Sequence, residues 1–164
     1  MAKESHQVKK WQASPEKMDE RINRLRTAEE CEIFSRNVTE RGYPELAARA
    51  QRRAVELQAA THDTQNEAER DALEAVYAYE RILSKAKRKK TRATGTWQMI
   101  KRLGIIEAIQ RQVNRNAGEA DYTALKETGM QDLAFESIVL KHPEAFESET
   151  VKRCAARLAE WVQA

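Results

Sequence analysis

Between Lys85 and Arg115 ten basic side chains, Lys85, Lys87, Arg88, Lys89, Lys90, Arg92, Lys101, Arg102, Arg111 and Arg115, face one acid, Glu107. Taking that +9 from the formal +3 of the whole chain leaves −6 on the remaining residues, so a mild net charge conceals a polarised one. Such a stretch does electrostatic chemistry: it attracts polyanions, and each phosphate that it neutralises releases condensed counterions. The residues predicted to contact phosphates are Lys87, Arg88, Lys89, Lys90, Arg92, Lys101 and Arg102, with Arg111 and Arg115 extending the patch. Contacts of this kind give affinity for a DNA or RNA backbone without preference for sequence. Long-range steering works equally well toward an acidic protein partner, so a protein-interaction or adaptor module is the alternative reading. The run KRKK also fits an import signal if the source is nuclear.

Reactive chemistry leaves no trace of this strength. The three histidines offer no ligand set: His6 lies near the start, His62 in a connector beside Asp63, and His142 before a proline at a helix end. Cys31 and Cys154 lack zinc or redox spacing and read as small core hydrophobes. Neither Glu-x-x-His nor His-Glu-x-x-His occurs, nor Gly-x-Ser-x-Gly, nor a phosphate-binding glycine loop. Glu80 and Glu136 fall close to apolar faces, where ion pairs with Lys or Arg are the ordinary account. The expectation is a non-enzymatic protein with no metal and no cofactor.

The elements that must carry the basic stretch are helices. Apolar residues recur near every 3.6 positions and no alternating run suggests a strand. Ser14-Pro15 opens a first helix to about residue 26, with Met18, Ile22 and Leu25 inward. Thr27 and Glu30 form a capping-box pattern ahead of Cys31, Phe34 and Val38. Gly42 stops that helix, and Tyr43-Pro44 starts the next, with Leu46, Ala47, Ala50, Ala54 and Leu57 on one side and a solvated face of Arg49, Arg52 and Arg53 on the other. Thr64 and Glu67 repeat the capping-box pattern before the longest stripe, which runs from Ala68 through Val76 to Ile82, Leu83 and Ala86. No loop separates it from KRKK, which is expected on its last turn, where cations complement the helix dipole.

Thr94 or Thr96 is expected to cap a short helix with Trp97, Ile100 and Leu103, which Gly104 ends before a helix with Ile105, Ile106, Ile109 and Val113 inward. The pair departs from DNA-reading helix-turn-helix units. Those carry a small residue four before the glycine and an apolar one six after it, where this chain has Ile100 and Gln110. Trp97 reads as core, although its place just past the basic run would also suit base stacking. Further helices follow around Tyr122 and Leu125, then Met130 to Val139, then Val151, Cys154, Ala155, Leu158, Trp161 and Val162.

The chain is therefore expected to be all-α, an irregular bundle of about seven helices forming a single compact domain over 14–164, with a flexible N-terminal tail over 1–13. No secretory leader or membrane-length apolar run is seen, which points to a cytoplasmic location without membrane partners. Oligomeric state is open at this stage.

Overall fold

A computed structural model describes residues 15–163, and every regular element among them is helical. The tail over 1–13 and the Ser14 cap lie outside the described residues. Among the described residues nine α-helices are found where about seven were expected: α1 (Pro15–Asn23), α2 (Ala28–Glu40), α3 (Pro44–Ala59), α4 (Glu67–Lys87), α5 (Thr94–Leu103), α6 (Ile105–Arg115), α7 (Glu119–Glu127), α8 (Phe135–Lys141) and α9 (Ser148–Gln163). The surplus comes from short segments. Gly129, at φ +70, and a single 3-10 turn at Gln131–Leu133 separate α7 from α8. Within the stretch read as one domain, packing gathers into two compact units, one ending at Leu57 and the other beginning at Gln58.

In the first unit, Ile22, Phe34, Val38, Ala47 and Ala50 form the core, with Leu25, Tyr43 and Leu46 packed against it. Burying a side chain of the Val or Phe class contributes about 1.5 to 3 kcal/mol, so these few residues carry much of the unit's stability. The Thr27 hydroxyl accepts from the Glu30 amide at 3.1 Å, and the Glu30 carboxylate accepts from the Arg26 amide at 2.8 Å. The capping box thus forms one residue wider than its usual reciprocal bond. Gly42 sits at φ +85 and lets the Tyr43 amide return to the Val38 carbonyl at 2.9 Å, the left-handed stop that the sequence implied. The arginine face of α3 is not simply solvated. Arg49 pairs with Asp19, and Arg53 donates to the Leu25 carbonyl at 3.3 Å, so α3 ties down the end of α1.

In the second unit α4 is the spine, with Ala72, Leu73, Ala75, Val76 and Ala78 almost wholly buried. Its cap is Asn66 rather than Thr64. Asn66 Oδ1 accepts from the Glu69 amide at 2.9 Å while Glu69 accepts from the Gln65 amide at 2.8 Å, because an asparagine two residues closer to the apolar stripe caps equally well. Ile109, Val113, Leu133, Ile138, Cys154 and Trp161 pack as core in this unit. The buried stripe of α9 is Thr150, Cys154, Leu158 and Trp161, narrower than expected, since Ala155 and Val162 are exposed. Gln110, the residue that breaks the helix-turn-helix pattern, is buried, and its Oε1 accepts from the Glu147 amide at 2.8 Å just ahead of α9.

The start of α4 is joined to the end of α8 by a polar cluster in which Asp71 and His142 are buried and Lys141 is exposed. Asp71 Oδ2 lies 2.7 Å from His142 Nε2 and 2.8 Å from Lys141 Nζ. Burial alone would raise the Asp71 pKa, but the hydrogen bonds and charges of Lys141 and His142 outweigh it and hold the carboxyl below its usual range. A lowered folded-state pKa adds stability that is present above the unfolded value near 3.9 and is lost as pH falls through the lower folded value. The stability gap between wild type and Asp71→Asn, followed by urea unfolding, is expected to be widest at neutral pH and to shrink below about pH 4. A gap of constant size from neutral to pH 3 would contradict this.

Candidate nucleic-acid interface

The basic run begins where the stripe of α4 leaves the core. Ile82 and Leu83 are half-buried and Ala86 is exposed, so the last turns of the helix rise to the surface. Only Lys87 of the four KRKK residues lies in the helix. Arg88 is left-handed, at φ 55 and ψ 29, with its amide 3.4 Å from the Lys85 carbonyl and the Lys89 amide 3.2 Å from that of Ser84. This is the two-bond stop that glycine normally completes. An L-residue there costs about 1 to 2 kcal/mol, and the positive φ is rare enough outside glycine to mark the position. Lys89 and Lys90 follow in the connector rather than on the last turn.

The connector is held by α4 itself. Ser84 Oγ accepts from the Thr91 amide at 2.9 Å. Glu80, buried one turn earlier, accepts at Oε2 from Arg92 Nε at 3.0 Å, from the Ala93 amide at 2.8 Å and from the Trp97 indole at 2.7 Å. Neither Thr94 nor Thr96 caps α5: its N-cap is Ala93, without a side-chain bond. Glu80 satisfies the N-cap amide from a neighbouring helix, the service that a glutamate at the third helical position gives in a capping box. One carboxylate therefore fixes the end of the basic connector and the start of the next helix.

All nine residues singled out from the sequence lie at the surface and are exposed. Lys87, Arg88, Lys89, Lys90 and Arg92 are brought together along the end of α4 and the connector. Lys101 and Arg102 occupy the last turn of α5, beyond the exposed Gly95 and Gln98 positions of its outer side. At about 1.5 Å per residue the two groups stand roughly 10 to 15 Å apart along α5, the axial rise of about three to four nucleotides. Arg111 and Arg115 lie one turn apart on α6. Arg92 is engaged by Glu80, and Arg111 by Glu107 at 3.3 Å. Among the described residues the other seven have no carboxylate within ion-pair distance, whereas Lys85 reaches Glu127 at 3.9 Å.

Trp97 lies against its neighbours at the margin of the core. The His62 ring is stacked against it, centroids 5.5 Å apart and planes at 9°, while Tyr77 meets it tilted at 5.2 Å and the Arg92 guanidinium lies over it at 5.4 Å. His62 Nε2 is 2.7 Å from the Tyr77 hydroxyl. Burial raises the Tyr77 pKa, an effect that Glu80 adds to and Arg92 opposes. Sequence reasoning missed Glu80 and His62 as parts of this surface. Glu80 carried a signal, an acid beside an apolar stripe, but His62 carried none.

A cavity of about 280 Å³ also opens in the second unit, with Asp121 and Glu136 in its wall beside Tyr79, Gln112 and Phe135. Burial raises both carboxyl pKa values. Glu136 is held by the Gly118 amide at 3.3 Å and by Arg157 at 3.6 Å, which anchors it in the packing between α8 and α9. Among the described residues no group of three or more His, Cys, Asp or Glu side chains is placed to hold a metal ion, and no helix is long and apolar enough to cross a membrane. Comparison of the chain with protein-family models, curated proteins and solved structures finds no match.

Proposed function

We propose that the second unit binds the sugar-phosphate backbone of DNA or RNA through the surface formed by Lys87, Arg88, Lys89, Lys90, Arg92, Lys101 and Arg102, extended by Arg111 and Arg115, and that it acts by binding rather than by catalysis. The observation that carries this reading is the set of seven exposed cations between Lys87 and Arg115 with no carboxylate in ion-pair distance among the described residues. Unneutralised cations held near one another by a latched connector are poised to exchange water and mobile anions for phosphates. Arg88 adds support. A left-handed position that favours glycine is filled by an arginine, which costs backbone energy and presents one more cation.

The test is a titration of the full chain with short DNA and RNA of unrelated sequences. Binding is expected near 50 mM monovalent salt, with little dependence on sequence. If about seven phosphates are contacted, affinity should fall by roughly 10³ to 10⁵ between 50 and 200 mM salt. No binding at low salt, or binding indifferent to salt, would defeat the proposal and leave an acidic protein partner as the better account of the surface.

A further inference from the structure

His62 lies in the connector between α3 and α4, and the fold seats it beside the basic run. Its ring is exposed, while one side is fixed: it lies nearly parallel to Trp97, and the Tyr77 hydroxyl holds Nε2 at 2.7 Å. Trp97 is in turn held by its indole bond to Glu80 and carries Arg92 over its ring. The result is a short stack with a cation of the basic surface at one position and an exposed imidazole at another. Two restraints on an exposed histidine reduce the entropy lost when another ring settles on it.

We infer that His62 is a stacking platform for an unpaired base, so that the basic surface takes single-stranded nucleic acid in preference to intact duplex. This rests on the backbone-binding reading above and specifies its substrate. A flat ring beside a row of cations is the combination by which single strands are held without sequence preference, since every base has a π-face and phosphates follow the charges. In a duplex the base faces are already stacked on one another and are closed to His62. Trp97, the aromatic that the sequence offered for this role, is engaged by His62, Tyr77 and Arg92 and supports the platform instead.

The experiment compares a 20-nucleotide oligothymidylate with a duplex of equal length at about 50 mM salt, using the full chain and the variants His62→Ala, His62→Leu and His62→Phe. Wild type is expected to prefer the single strand. His62→Ala and His62→Leu should each weaken single-strand binding by about five- to a hundredfold while leaving duplex affinity and the salt slope unchanged. His62→Phe should retain single-strand binding, because it keeps the flat ring and lacks an imidazole proton. His62→Leu keeps apolar cover over Trp97, so it still decides the matter if the alanine variant folds poorly. Equal wild-type affinity for both forms, or a leucine variant that binds the single strand as wild type does, overturns the platform while the backbone reading stands. Loss of single-strand binding in His62→Phe would overturn it as well. Failure of wild type to bind either form would instead remove the reading underneath.

Discussion

Glu80→Ala is expected to destabilise the second unit by about 2 to 5 kcal/mol, an effect out of proportion to the removal of one surface-facing ion pair. The Ala93 amide and the Trp97 indole would each lose their acceptor in partly or wholly buried surroundings, and an unsatisfied buried donor costs about 1 to 3 kcal/mol. The bond to Arg92 adds little, because that side chain is 61% exposed and water replaces its partner. Glu80→Gln should cost less, since its single carbonyl oxygen can still accept from two of the three donors. The Ala93 amide provides a local readout: slow hydrogen exchange in wild type, fast exchange in Glu80→Ala. A stability change below about 0.5 kcal/mol with unaltered exchange would mean that the connector holds without the carboxylate.

Much of the fold is legible in the sequence because its causes are local. Stripes such as Cys31-Phe34-Val38 and Ala72-Val76 depend only on side-chain spacing, and Gly42 and Gly104 stop helices through their own backbone freedom. Spacing misleads where two local solutions compete or where a distant group decides. Thr64 and Asn66 are both competent caps, and only packing of the stripe chooses between them. Arg88 leaves the last turn of α4 although nothing in KRKK supplies the glycine that a left-handed stop favours. Trp97 shares the register of Ile100 and Leu103, yet its indole nitrogen finds Glu80, which lies 17 residues earlier, at the margin of the core. His62 reaches Trp97 across an entire helix, a separation that no periodic pattern encodes.

The candidate surface divides in the same way. That the nine cations lie at the surface follows from their chemistry, since unpaired lysine and arginine are almost never buried. How Lys87 to Arg92 are gathered does not follow from composition. It depends on the left-handed turn at Arg88 and on the carboxylate that holds Arg92 and Ala93.

Changing Lys87, Arg88, Lys89 and Lys90 together to Ala is expected to weaken binding to all nucleic-acid sequences about equally. Folding should be little affected. Cations at a helix end contribute about 0.3 to 1 kcal/mol each through the dipole, and only Lys87 lies within the last turn. The direct measurement is the slope of log Kobs against log salt for wild type, for this variant and for a Lys126→Ala/Lys152→Ala control that removes two exposed cations elsewhere. The account predicts a steep wild-type slope, a slope shallower by about one for each phosphate that the four-site variant no longer neutralises, and no change in the control. A four-site variant that binds with the wild-type slope would show that these cations do not meet phosphates and would contradict the account at its centre.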